Sequence, residues 1–81
     1  MYKLAISKTA KKQLGKIPQK INEKINISIQ RLKTWEGNIL KMEGGKHEYR
    51  LRVGKYRVIF ILENDILYII DIADRKDVYR F

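Results

Sequence analysis

Three arginines on a short hairpin are the residues in this sequence best suited to bind an anion. The segment EYRLRVGKYRVIF, residues 48–60, is predicted to form two strands joined at Gly54-Lys55, because a two-residue loop that begins with glycine suits a type II′ turn. In that register Arg52 faces Arg57, and Arg50 lies on the same face of the sheet. Like charges placed directly opposite each other destabilise a sheet. A single exposed arginine can extend into solvent, but this facing pair with its neighbour indicates a site for an absent anion.

The composition bounds the kind of protein that carries this hairpin. At 81 residues the chain is long enough for one small domain, residues 1–81, and 44% hydrophobic residues are too many for a disordered chain. No apolar run approaches the roughly 20 residues of a membrane span. The absence of cysteine excludes a disulfide framework and a thiolate zinc site. Since MYKLAISK also lacks the apolar region of a secretory signal, we expect a cytoplasmic protein without a membrane partner.

The net charge of +9 is distributed unevenly along the chain. Residues 1–34 hold nine Lys or Arg and one acid, whereas residues 35–81 hold nine basic and eight acidic residues. A field this asymmetric attracts polyanions to one side of a molecule. Charge alone leaves a second interpretation open, in which a lysine-rich helical surface serves only solubility.

The amino-terminal half is predicted to contain a strand and two helices. YKLAIS alternates apolar and polar residues as a strand does, and Ser7 can cap a short helix over residues 8–16. Pro18 suits the first turn of a second helix that ends near Trp35, which we expect to close the core. The buried stripe of this helix is formed by Ile21, Ile25, Ile29 and Leu32, and the lysines lie outside it.

The carboxy-terminal half is predicted to contain three strands, at about 47–53, 56–63 and 66–73, after a turn-rich connector. The order β-α-α-β-β-β indicates an α+β fold, in which two amino-terminal helices pack on one face of a largely antiparallel four-stranded sheet. Asp71 falls on the helix side in this register, and either a bulge or a different turn would move it.

The last two strands are apolar on both faces, so one face needs a cover that the two helices do not supply. On the arginine face the predicted apolar residues are Tyr68 and four isoleucines, Ile59, Ile61, Ile70 and Ile72. Either the end of the chain folds over them or a partner protein does.

The hairpin YRLRVGKYRVIF followed by ADRKDVYRF resembles the toxins of the RelE/ParE superfamily from bacterial and archaeal toxin–antitoxin pairs. The resemblance covers essentially the whole chain, including the element order and the segment KIPQKINEKI. RelE-type members are metal-independent endoribonucleases that cut messenger RNA in the ribosomal A site. ParE-type members share the fold but poison DNA gyrase.

The resemblance implies roles for particular residues. The nuclease branch uses basic residues before the hairpin turn, here Arg50 and Arg52, and the arginine after the turn tyrosine, here Arg57. Arg75 and Tyr79 match a later arginine and a tyrosine near the end of the chain. Arg52, Arg57 and Arg75 would hold the scissile phosphate with Arg50 contacting RNA. Tyr79 would act as the base or stack on a nucleobase, although a core position for it is open as well.

One position departs from the family pattern, because Ala73-Asp74 stand where Gly followed by His or Lys is usual. The carboxylate of Asp74 either orients Arg75 or partly neutralises the site. Since the acids are not grouped in a metal-ligand spacing, we expect neither a metal nor another cofactor.

The resemblance also implies partners. A RelB-like antitoxin with an acidic, amphipathic segment would cover the isoleucines, and the ribosome with its messenger and ribosomal RNA would be the target. The predicted ribosomal RNA contacts are Lys8, Lys11, Lys12, Lys16, Lys20 and Lys24. Three functions therefore compete: a ribosome-dependent endoribonuclease, which the matched arginines favour, a ParE-like inhibitor of gyrase, and a simple RNA-binding module.

Overall fold

The computed structural model describes residues 1–43 and 47–74, and in these ranges the chain forms two helices and five strands. A turn of 3-10 helix follows the second helix. In chain order the elements are β1 Lys3–Ile6, α1 Lys8–Gly15, α2 Gln19–Arg31, the 3-10 turn Leu32–Thr34, β2 Asn38–Lys41, β3 Glu48–Val53, β4 Tyr56–Glu63 and β5 Ile66–Asp74.

The five strands form one sheet in the order β1-β5-β4-β3-β2. Only β1 and β5 run parallel among these pairs, and the other neighbours are antiparallel. The predicted α+β fold is therefore confirmed, with a correction in the number of strands. Residues 38–41 were expected to belong to a connector but form β2 at the edge of the sheet, where Ile39 pairs with Leu51 and Leu40 pairs with Arg50.

Both hairpin turns have the backbone geometry that their residue types favour. Gly54 has φ of 57°, the left-handed value that the first loop position of a type II′ turn requires. Asn64 and Asp65 have φ of 49° and 63°, as a type I′ turn requires at both loop positions. The first turn places Arg52 opposite Arg57, so the predicted register is confirmed.

A bulge in β5 changes which side chains reach each face of the sheet. Ile59 pairs with Asp71 but Phe60 pairs with Ile69, which leaves Ile70 as the extra residue. The bulge, one of the two changes that could move Asp71, pairs it with Ile59 of the arginine face, and its carboxylate accepts a hydrogen bond from Gln13 of α1 at the sheet edge. The placement of Ile72 on the arginine face was wrong, because the same shift pairs it with Val58 and leaves it 2% exposed among core residues.

The core lies between the helices and one face of the sheet. Ser7 caps α1 by accepting a hydrogen bond from the Ala10 backbone N–H at 3.0 Å. Of the predicted stripe of α2, Ile21 is partly exposed at its border and the other members are buried. The fully buried side chains are Ala10, Ile25, Ile29 and Leu32 from the helical layer, and Leu51, Val58, Phe60, Leu67, Ile69 and Ile72 from the sheet.

Trp35 closes one end of this core, as predicted. It has φ of 58° and reverses the chain after the 3-10 turn. Its ring centroid lies 5.0 Å from that of Tyr49 and 5.9 Å from that of Phe60, both edge-on, and 5.6 Å from that of Tyr2. Edge-to-face contacts of this kind add to the stability that burial provides.

Gln13 joins α1 to the edge of β5 beyond the end of β1. Its Nε2 donates to Oδ1 of Asp71 at 2.6 Å, and its Oε1 accepts from the backbone N–H of Ile72 at 2.7 Å. We expect Gln13→Ala to lower the free energy of unfolding by about 1–2 kcal/mol, because two hydrogen bonds are lost and the Ile72 donor is left unpaired. Urea denaturation measures this change. Lys12→Ala, an exposed substitution on the same helix, is the control, and equal midpoints for both variants would show that Gln13 contributes nothing.

Candidate anion-binding site

The three hairpin arginines share the face of the sheet that points away from the helices, called here the open face. Arg50 pairs across the strands with Ile59, and Arg52 pairs with Arg57. Arg52 is exposed and Arg50 is half-buried. The structure therefore brings three of the predicted site residues together on one face. Two of them, Arg52 and Arg57, are direct cross-strand neighbours.

Arg57 is only 5% exposed, the lowest value for a charged side chain among the described residues. A charge buried to this degree needs partners, and Arg57 has interactions of its own. A phosphate can reach it only if the groups that cover it move aside. Once reached, a guanidinium in a medium of low dielectric interacts with a phosphate more strongly than an exposed one does.

Apolar side chains continue the open face beside the arginines. Ile59, Ile61 and Ile70 are each half-buried, so none of them is fully covered by the described part of the chain. Tyr68 pairs with Ile61 and is 38% exposed. Leu40 pairs with Arg50 and is 48% exposed, a position on this face that was not predicted because β2 was not. The open face is therefore an arginine cluster bordered by an incompletely covered apolar surface.

The six predicted lysine contacts lie apart from the arginines. They belong to α1, to its carboxy-terminal cap or to α2, and the sheet separates this helical layer from the open face. All six are exposed, which agrees with their predicted position outside the buried stripe. A polyanion that contacts both sets has to reach two sides of the molecule, which measures 31 × 28 × 23 Å.

Two predicted site residues, Arg75 and Tyr79, lie outside the described residues. Asp74 ends β5, is half-buried and pairs with Tyr56. Within residues 1–43 and 47–74, no three side chains of His, Cys, Asp or Glu come together as a metal site requires. No helix in the described part of the chain is long and apolar enough to cross a membrane.

A cleft beside Arg52 was not predicted from the sequence. It has a volume of about 370 Å³ and opens where the chain passes from the 3-10 turn into β2. Residues from the end of α2 and the start of β2 line it together with Arg52. It could not be predicted from the sequence, because its wall includes the start of β2, and that segment was expected to be a connector.

Known proteins are similar to this chain in sequence and in architecture. The toxin RelE3 of Methanocaldococcus jannaschii is 28% identical over 85 residues, covering 98% of this chain and 97% of that protein. The RelB–RelE antitoxin–toxin complex of Methanococcus jannaschii contains a chain that superimposes with a TM-score of 0.80 at 26% identity, covering 91% of this chain and 93% of the other.

An isolated toxin has the same fold at lower sequence identity. Escherichia coli RelE has a TM-score of 0.78 at 17% identity and covers 99% of this chain and 98% of its own. The model of the family described as ParE toxin of type II toxin–antitoxin system, parDE, matches residues 4–79. The chain therefore belongs to this toxin family, and among its members it is RelE-like.

Proposed function

We propose that this toxin is an endoribonuclease that cuts messenger RNA in the ribosomal A site, and that it acts in the cytoplasm, where translation takes place. The observation that carries the proposal is the pairing of Arg52 with Arg57 on the open face, with Arg50 beside them. Arginine binds phosphate oxygens through a planar fork of N–H groups, which makes it the residue best suited to a phosphodiester.

The proposed reaction is attack of a 2′-hydroxyl of the message on its own 3′-phosphate, which expels the 5′-oxygen of the next nucleotide. This reaction needs a base for the 2′-hydroxyl, positive charge around the phosphorane and an acid for the leaving oxygen. Arg52, Arg57 and Arg75 would supply the positive charge, so the reaction needs no metal ion. Tyr79 would take the proton of the 2′-hydroxyl or stack on the base, as aromatic residues do with single-stranded RNA.

The lysines of the helical layer would bind ribosomal RNA while the open face binds the message. This division explains why the basic charge is far larger than one scissile phosphate requires, and why the two sets lie on different sides of the sheet. It also predicts weak cleavage of RNA that is not on a ribosome.

Reversing two of these lysines tests their role. Lys11→Glu combined with Lys16→Glu should weaken ribosome binding at least tenfold and reduce the slope of log affinity against log salt by about 1.5, since fewer counterions are released. Binding to purified ribosomes across a salt series measures both effects. The matched control reverses Lys3 and Lys41, which are exposed in strands at opposite edges of the sheet. If the two double variants behave alike, the helical lysines serve only solubility.

The proposed partner in the resting state is a RelB-like antitoxin. RelE toxins of Methanococcus jannaschii and Escherichia coli have been solved as complexes with RelB. On this chain, an amphipathic segment with acidic residues would cover Ile59 and Ile61 and neutralise the neighbouring arginines. Such a segment would bury apolar surface and pair charges at the same time.

Primer extension on messenger RNA after brief expression of the toxin distinguishes the proposed function from its rivals. Cuts within codons of translated messages are expected. DNA damage without RNA cuts would instead indicate inhibition of gyrase. Neither effect, together with RNA binding, would leave a simple RNA-binding module.

A further inference from the structure

We infer that the cleft beside Arg52 binds a nucleotide of single-stranded RNA next to the one that is cut. This inference rests on the proposed nuclease function. It adds a binding site formed by the end of α2 and the start of β2, neither of which carries a residue of the proposed reaction.

The walls of the cleft combine the groups that recognise a nucleotide. The apolar contribution is small, because Leu51 is the one apolar side chain in the lining and is 1% exposed. Arg31 and Arg52 provide two guanidinium groups for phosphate oxygens, and Ser28 and Asn38 add a hydroxyl and an amide. The volume of about 370 Å³ is within the range of small-molecule sites, and the lining is more polar than is usual for them, as suits a phosphate-bearing ligand.

The cleft lies on the helical side of the sheet, at its β2 edge, and shares one residue with the open face. Arg52 lines the cleft and also stands opposite Arg57, while its other cross-strand neighbour is Asn38. A strand whose scissile phosphate lies at the arginine pair therefore has to pass the edge of the sheet at β2 to place its adjacent nucleotide in the cleft.

The charges around the cleft are mixed, with Arg31 and Arg52 against the end of α2 and the Glu36 carboxylate. The carboxy-terminal end of α2 lies there, and the carbonyl groups at a helix end repel negative charge. One of these carbonyls, that of Arg31, accepts a hydrogen bond from the backbone N–H of Glu36 at 3.1 Å. The Thr34 hydroxyl has one hydrogen to donate and lies 3.1 Å from the same carbonyl oxygen and 2.9 Å from Oε2 of Glu36. Arg31 adds a positive charge at this end of α2.

Gly37 keeps the cleft open. It has φ of 128°, and a Cβ built on it would lie 2.9 Å from Cδ1 of Leu51. Any other residue at this position would be strained and would press against the side chain of Leu51. The shape of the cleft therefore depends on a glycine at the start of the strand that forms its wall.

The test is binding of a short single-stranded RNA that carries 2′-O-methyl groups throughout and so cannot be cut by attack of a 2′-hydroxyl. Arg31→Ala should weaken binding about tenfold and reduce the salt slope by about 0.7, the value for one phosphate contact of a single strand. Arg31→Lys should restore part of the affinity. Lys3→Ala removes the same charge at the far edge of the sheet and should change binding less than twofold, which separates a local contact from a loss of net charge.

Nuclear magnetic resonance of the isotope-labelled toxin with the same RNA gives a second readout. The Gly37 backbone amide and the Asn38 side-chain amide should shift at the lowest RNA concentrations that produce any change. Equal effects of Arg31→Ala and Lys3→Ala, or shifts confined to the helical lysines, would overturn the inference. If RNA occupies the cleft but an Arg57→Ala/Arg75→Ala toxin still cuts translated messages, the nuclease assignment fails while the binding site remains.

Discussion

A toxin that carries both Arg57→Ala and Arg75→Ala should fail to arrest growth and should cut ribosome-bound messages at least 10³-fold more slowly, since removing one such contact typically costs about 10²–10³ in rate. The two losses need not add, because both side chains would act on the same phosphate. The matched control is Lys55→Ala, which removes a positive charge from the exposed turn of the same hairpin and should leave the rate within a factor of two or so.

Arg57 is buried, so its replacement can also disturb the fold. Arg52→Ala separates the two effects, because Arg52 is exposed and faces Arg57 across the hairpin. We expect this variant to keep the melting temperature of the wild type and to lose about 10²-fold in single-turnover rate. A folded double variant, or a folded Arg52→Ala, that cuts at the wild-type rate would contradict the role of the arginine cluster.

The second large effect concerns neutralisation by the antitoxin. Ile61→Lys should weaken antitoxin binding by roughly tenfold to a hundredfold, because apolar contact at the open face is lost and a charge is buried in its place. It should also leave growth arrested when the antitoxin is expressed together with the toxin. Titration calorimetry or competition binding measures the affinity. The melting temperature of the free variant shows whether its fold is intact, since Ile61 is half-buried.

Ile27→Lys is the matched control. Ile27 is 54% exposed on α2, so the same substitution is made on the opposite side of the molecule. We expect it to change antitoxin affinity less than Ile61→Lys does. A larger loss from Ile27→Lys would show that the antitoxin binds the helical layer and that the isoleucines of the open face are covered by something else.

The hairpin was predictable because two features of its sequence, the turn and the alternation of the strands, specify the same register. The Gly54-Lys55 loop suits only a short turn, and the alternation on either side agrees with it, so that the apolar residues and the arginines separate onto two faces. The helices were predictable for similar reasons, since Ser7 and Pro18 mark where they begin and Ile25 and Ile29 mark the buried side.

The strand β2 and the bulge in β5 could not be predicted from sequence patterns. β2 is a four-residue edge strand with Leu40 exposed, so its sequence is too short to show an alternating pattern. The strand is stabilised by its pairing with β3. The bulge at Ile70 depends on how β5 meets β4 and α1, where Gln13 holds Asp71 and the Ile72 backbone. Ile72 was therefore assigned to the wrong face.

Some residues of the candidate site could likewise be predicted from the sequence, and others could not. Arg50, Arg52 and Arg57 follow from local register, whereas the cleft of Arg31 and Asn38 requires the tertiary contact between α2 and the edge of the sheet. Arg75 and Tyr79 were assigned by resemblance alone. Local chemistry was thus readable from the sequence, but a site assembled from three elements was not.

The most direct measurement uses purified ribosomes stalled with a defined codon in the A site, on two otherwise identical messages. In one of them a single 2′-hydroxyl, that of the nucleotide before the cut, is replaced by hydrogen. We predict that the toxin cuts the all-ribose message to leave a 2′,3′-cyclic phosphate and a 5′-hydroxyl, and that the deoxy message remains intact at that position. Cleavage of both messages at the same position and rate, or no cleavage of either, would contradict the proposed reaction.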